Sequence, residues 1–295
     1  MNPDFAIHPD TRLGPVHYTV RDIDRQIAFY QDALGMQLHW QNELSAGLGA
    51  GAEDLLQLTQ KPEGMRFPRN TGMYHFALLY PDRRELARVI ARLINSSIPN
   101  SPTDHVFTKT TYLEDPEGNT IELYCYSLED GSFETINGEF VAQYADGRPS
   151  TGRDPLDLPA LFSHLQDGDD FFAPMPSEVV IGHVHLYGND LAAANRFYIE
   201  VLGFKPGNYS DKMGMADVEL ERPHVIAWNV WMGVGAQPPP PEALGIRYFS
   251  IVLPDKESLE ALKGRLKAAE WPSLETDDEV RLSDPAGVEM RIWAE

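Results

Sequence analysis

Residues 14–22, Gly-Pro-Val-His-Tyr-Thr-Val-Arg-Asp, return 168 positions later as Gly-His-Val-His-Leu-Tyr-Gly-Asn-Asp at 182–190. The same offset carries Phe29-Tyr30 onto Phe197-Tyr198 and Leu34-Gly35 onto Leu202-Gly203. His75 to Asp82 matches Tyr248 to Asp255 at an offset of 173, and Asp115-Pro-x-Gly118 matches Asp284-Pro-x-Gly287 at 169. Offsets this steady over more than a hundred positions mark a duplicated domain, and a duplicated domain confines the chain to folds that hold one unit twice. Each copy itself reads as strand, helix and strands twice over, so four βαβββ modules are expected.

Local signals agree. Gly14 to Val20 reads as a strand, and Asp22 caps a helix whose apolar positions Ile23, Ile27, Phe29-Tyr30 and Leu34 follow helical spacing until Gly35 ends it. Leu38–Trp40 and Leu55–Leu58 are expected as strands around a turn rich in glycine at 47, 49 and 51. Met73–Tyr80 reads as an apolar strand, followed by a helix from about Arg84 to Ile94. The fold class expected is α+β, with tandem domains at 12–126 and 179–295, each of two paired modules forming a cupped mixed sheet. Residues 127–178 form an acidic connecting arm with a helix near Leu158–Leu165; the arm is too long for a bare loop, so part of it should pack on a domain. Gln237-Pro-Pro-Pro-Pro241 reads as a stiff connector between the last two modules.

A length of 295 residues leaves each half enough chain for its own core. The net charge of −21 argues against nucleic acid or an anionic membrane as partner. The lone Cys125 excludes an internal disulfide and fits a reducing compartment. Met1 to Arg12 is polar with no signal-peptide pattern, and no apolar run approaches about 20 residues, so a cytoplasmic protein is expected.

Chemistry concentrates between Thr103 and Glu122. A strand carrying His105 turns back through Lys109 to a strand with Tyr112, and the turn Asp115-Pro-Glu-Gly-Asn119 reverses the chain into Thr120-Ile-Glu-Leu-Tyr124. Alternation sets Thr120, Glu122 and Tyr124 on one face. A mid-strand carboxylate among apolar neighbours is costly to bury unless something positive meets it, and a metal ion is one such partner.

The order of modules, the Asp-(six residues)-Phe-Tyr-(three residues)-Leu-Gly pattern and the Asp-Pro-x-Gly-(three residues)-Glu ending resemble the vicinal oxygen chelate superfamily of glyoxalases, bleomycin-resistance proteins and extradiol dioxygenases. Gly72-Met-Tyr-His-Phe-Ala-Leu-Leu79, Asp104-His105, Tyr112 to Tyr124 and Gly182-His-Val-His-Leu186 resemble its two-domain catechol 2,3-dioxygenase branch most. Thr111 departs from the pattern, which has a large apolar residue there. The resemblance implies metal ligation by His75 and Glu122, with His105 and Tyr112 as catalytic residues beside the substrate. The family's first ligand lies seven residues before the helix-capping Asp; in the first domain that position is Pro15, and His17, two residues on along the same face, is the candidate substitute. In the second domain His183 keeps the first position while Tyr248 and Arg291 replace the other two, so that site reads as vestigial or substrate-shaping, His183 and His185 as structural or oligomer-interface residues, and His224 as structural.

The implied cofactor is Fe(II), with Mn, Zn or Ni as alternatives. The implied reaction is extradiol opening of a small aromatic diol with O2, in a homodimer or higher homo-oligomer. A glyoxalase-like isomerase or lyase, and a metal-free small-molecule-binding protein, are the other functions this scaffold allows.

Overall fold

The computed structural model describes residues 6–295; the opening Met1–Phe5, part of the stretch read for a signal peptide, lies outside the described residues. The first module runs β1 (Arg12–Val20), α1 (Ile23–Leu34), β2 (Gln37–Gln41), β3 (Ser45–Ala50) and β4 (Glu53–Gln60). The second runs β5 (Gly72–Leu79), α2 (Arg83–Asn95), β6 (Ser101–Asp104), β7 (Thr108–Glu114) and β8 (Thr120–Tyr126). The intervening segment holds β9 (Gly131–Ile136), β10 (Glu139–Tyr144), β11 (Pro149–Ser150), β12 (Asp154–Pro155) and α3 (Leu158–Phe162). The third module has β13 (Val180–Tyr187), α4 (Leu191–Arg196), β14 (Lys205–Ser210), β15 (Met215–Glu219) and β16 (Ile226–Asn229). The fourth has β17 (Gly245–Leu253), α5 (Lys256–Ala268), β18 (Leu274–Glu275), β19 (Glu279–Ser283) and β20 (Glu289–Ala294).

The repeated residues do the same structural job each time. Asp22, Asp82, Asp190 and Asp255 each cap a helix, their carboxylates accepting from the N–H three residues on. Each repeated tyrosine is buried and ties its module to the repeated turn of the next. Tyr30 donates to Asp115 Oδ2 and Tyr198 to Asp284 Oδ2, both at 3.1 Å. Those aspartates in turn hold the turn's own amides, Glu117 and Asn119 in one case and Ala286 and Val288 in the other.

The chain packs as two units, both discontinuous in sequence. One comprises Val20–Pro62 and His75–Gly182. In it β5 pairs in parallel with β8, which continues antiparallel through β7 and β6. The arm is structured and belongs to this unit: β9, β10 and β11 form a small antiparallel sheet, and β12 adds to the edge of β6. Its acidic run meets α2, where Arg84 pairs with Asp169 and Arg88 donates to the Asp170 carbonyl.

The expected glycine turn between Trp40 and Leu55 is instead strand β3, paired with β2 and β4. A Cβ on Gly47 would sit 2.2 Å from the Trp40 indole nitrogen, which donates to Asp54, so glycine here makes room for a neighbouring side chain.

The other unit comprises the segment ending at Thr19, Glu63–Tyr74 and His183–Glu295. At its centre β17 pairs in parallel with β20 and antiparallel with β1, from Arg12↔Val252 to Thr19↔Gly245. A second set runs from β13, parallel to β16, through β15 to β14. The opening strand of the first module is therefore paired with the fourth module. No helix among the described residues is long and apolar enough to cross a membrane.

Candidate metal centre

His75 enters from β5 and Glu122 from β8, strands whose parallel register sets His75 against Thr120 and Ala77 against Glu122. With period-2 alternation, the two side chains share a face, and they meet: His75 Nε2 lies 3.0 Å from Glu122 Oε2, each side chain 4% exposed. Across β7 and β8, Tyr112 sits opposite Glu122 and Thr110 opposite Tyr124, which brings both to the same face. The Thr110 hydroxyl lies 2.9 Å from Glu122 Oε1 and 3.0 Å from the Leu123 carbonyl. Thr111 points the other way and bonds Asn100 at 2.9 Å, so a hydroxyl is tolerated where the pattern has an apolar residue.

His105 lies in the turn just after β6. Its Nδ1 bonds the Gly152 carbonyl and its Nε2 lies 2.9 Å from the Tyr112 hydroxyl. Tyr112 also sets its ring against His75, with centroids 5.6 Å apart. The turn is held open by Val106, a β-branched residue at φ 71° whose N–H donates to Asp104. Lys109 locks the same turn through Asp104 and Asp130, each at 2.7 Å.

Among the described residues, one group of His, Cys, Asp or Glu side chains brings three donor atoms within 4.8 Å of one another: His75, Glu122 and His183, all buried. His183 lies on β13, one peptide bond after Gly182. The chemistry of this donor set fits a divalent cation. Two ligands at about 2.1 Å from one ion and at right angles lie about 3 Å apart, the spacing seen between His75 and Glu122. Neutral imidazole with one carboxylate is the set used by non-haem Fe(II) sites that keep open positions.

His17, the expected third donor, is not part of this group. It faces Tyr248 across β1 and β17, with ring centroids 4.7 Å apart. Arg291 lies over that tyrosine, 3.9 Å from its centroid. Burial first, then the charges of Arg247 and Arg291, push His17 down to about 4, so it is neutral at pH 7 in surroundings that repel a cation. The pairing accounts for this: β1 lies against β17, where Tyr248 holds the position equivalent to His75, and β20 beyond it carries Arg291 at the position equivalent to Glu122.

His183, read as structural or as an interface residue from the sequence, is the third residue of that group. The signal was present, because His183 keeps the seven-residue spacing to its helix cap that Pro15 breaks. His224, read as structural, sets its ring 4.8 Å from that of His183 and bonds the buried Asp217 through Nδ1 at 2.7 Å. His185 accepts from Asn229 at 2.9 Å. Gly152 and Thr110 also touch site residues, and neither had a motif to announce it. Cys125 is buried on the opposite face, and burial pushes its thiol up to about 12.

Comparison with known proteins gives the family. The Glyoxalase/Bleomycin resistance protein/Dioxygenase superfamily matches at residues 12–123 and 180–288, and the chain belongs to that superfamily. A protein named catechol-2,3-dioxygenase from Bacillus subtilis is 34% identical over 95% of this chain and 96% of its own. At that level the chain is a dioxygenase-like enzyme. Among solved structures, glyoxalase I from Zea mays aligns with a TM-score of 0.58 at 18% identity, covering 97% of this chain and 92% of that one. A putative dioxygenase from Bacillus subtilis aligns with a TM-score of 0.61 at 11% identity, covering 96% and 84%. These two likenesses establish the fold.

Proposed function

We propose that this chain is an extradiol ring-cleaving dioxygenase opening a catechol-like aromatic with O2, with Fe(II) held by His75, Glu122 and His183. The observation that carries the reading is the buried donor group lying beside the hydrogen-bonded His105–Tyr112 pair. When bound, Fe(II) would supply the Lewis-acid and redox chemistry that lets a catecholate react with O2; Mn is the alternative ion closest to it, and Zn or Ni would fit the donors without the redox step.

The chain's own residues have separable tasks. Thr110 orients the Glu122 carboxylate by its hydroxyl contact. The Tyr112 hydroxyl points at His105 Nε2, so it can hydrogen-bond a substrate oxygen while passing proton density to the imidazole. His224, oriented by Asp217, is a second imidazole able to hold a proton next to His183. Burial of the donor group keeps bulk water out and strengthens each of these polar contacts. The reading also takes a homo-oligomer in a reducing, cytoplasmic setting, supported for the second by the single free thiol.

The test is anaerobic reconstitution with Fe(II), then addition of a catechol panel and oxygen. A yellow ring-fission product formed with one O2 consumed per ring supports the reading. Stoichiometric iron with no product across the panel overturns it, and turnover of a hemithioacetal without O2 would move the assignment to a glyoxalase-like isomerase.

A further inference from the structure

The arm between the sequence repeats enters the chemistry at one backbone atom. Its segment 150–155 is held in a tight loop: Asp154 accepts from Ser150 at 2.6 Å, Thr151 at 2.7 Å and Tyr144 at 3.1 Å, and the Gly152 N–H donates to Ser150 Oγ. The loop is anchored on the sheet because β12 pairs with β6, Asp154 opposite Asp104 and Pro155 opposite Thr103. Gly152 sits at φ 73°, and a Cβ there would lie 2.4 Å from the Phe133 ring. The product of this construction is a carbonyl oxygen aimed at His105 Nδ1.

A carbonyl only accepts, so Nδ1 must carry the hydrogen. In the neutral ring Nε2 then bears the lone pair, and it faces the Tyr112 hydroxyl at 2.9 Å. We infer that the Gly152 carbonyl is a positioning group that holds His105 in its Nδ1–H tautomer, making the arm a working part of the His105–Tyr112 pair. Without that acceptor the ring can turn or take the Nε2–H form, which presents Tyr112 with a donor in place of a base. The inference rests on the dioxygenase reading for its effect on turnover, and on the hydrogen bonds alone for its effect on the tautomer.

Nitrogen-15 NMR of the full-length protein labelled at histidine reads the tautomer directly, with His105→Gln identifying the signals. Wild type should show a protonated Nδ1 and an unprotonated Nε2. Asp154→Ala, which releases Ser150, Thr151 and Tyr144, and Gly152→Ala, which clashes with Phe133, should each give a mixture of tautomers. Both should lower kcat about 10-fold or more with KM within about twofold, a part of the 10²–10⁴ that a positioned acid–base group supplies. Asp146→Ala, which breaks only the exposed pair with Arg148, should change neither readout. Thermal melts separate loss of fold from loss of position. The inference is overturned if wild type shows the Nε2–H tautomer, if both loop variants keep the wild-type tautomer, or if the tautomer mixes while kcat stays unchanged. A fixed Nδ1–H tautomer in an iron-loaded protein that opens no catechol would sink the dioxygenase reading and leave the positioning contact standing.

Discussion

The side chains that matter most are set apart from their neighbours by what lies within about 3 Å of them. Glu122 is a carboxylate 4% exposed, touched by an imidazole and a hydroxyl, and such a group is stable as an anion only when positive charge reaches it. His183→Ala and Glu122→Ala should therefore lower iron affinity by more than the roughly 10- to 100-fold typical of outer-shell changes. His17→Ala should leave iron content at wild-type level, because that ring packs on Tyr248 in an environment made positive by two arginines. Metal analysis of the three variants after equilibrium dialysis checks both expectations; loss of iron in the His17 variant alone would restore the ligand set expected from the first half of the sequence. Tyr112→Phe keeps the ring against His75 and removes the hydroxyl from His105, so kcat should fall about 10²-fold with iron retained, as read by steady-state kinetics on iron-loaded enzyme.

Helices and turns carry the repeat. The α2 helix begins at Asp82, whose carboxylate accepts from the Glu85 N–H at 2.9 Å, and the arm docks on its arginines. Asp82→Ala should cost about 1 kcal/mol in a denaturant melt, the usual worth of such a cap. The fourth-module turn has a different signature. Burial raises the Asp284 carboxyl to about 6, against the stabilising amides of Val288 and Ala286 and the Tyr198 hydroxyl. A carboxyl whose folded pKa lies above its ordinary 3.8 stabilises the fold most when protonated, so this contribution is full below about pH 4 and is lost as pH rises through about 6. The loss is on the order of 3 kcal/mol for a shift of this size. Asp284→Asn keeps one oxygen for the two amides, so relative to wild type it should gain stability between pH 4 and pH 6.5. Melting temperatures of the two proteins across that range supply the comparison, and parallel curves would refute the assignment.

Across the whole chain, the duplication was legible because each repeated residue has a local task. A helix cap works within three residues, a turn aspartate within four, and the alternation of Thr120, Glu122 and Tyr124 within one strand. That Tyr112 and Glu122 share a face follows from alternation across the short turn between β7 and β8, whereas His75 and His105 were singled out through the family resemblance, because β5 meets β8 only after a helix and two further strands. The glycines of β3 misled because strand and turn both use glycine, and only the neighbouring Trp40 and Asp54 show which applies.

The identity of the modules and their turns was thus written into the chain by near-neighbour chemistry. Which strand edge each module meets was left to tertiary structure. Four similar modules offer equivalent strand edges, and spacing along one strand carries no information about which edge another strand will meet. Pairing of β1 with β17 sets His17 against Tyr248, a partner that no spacing along β1 announces.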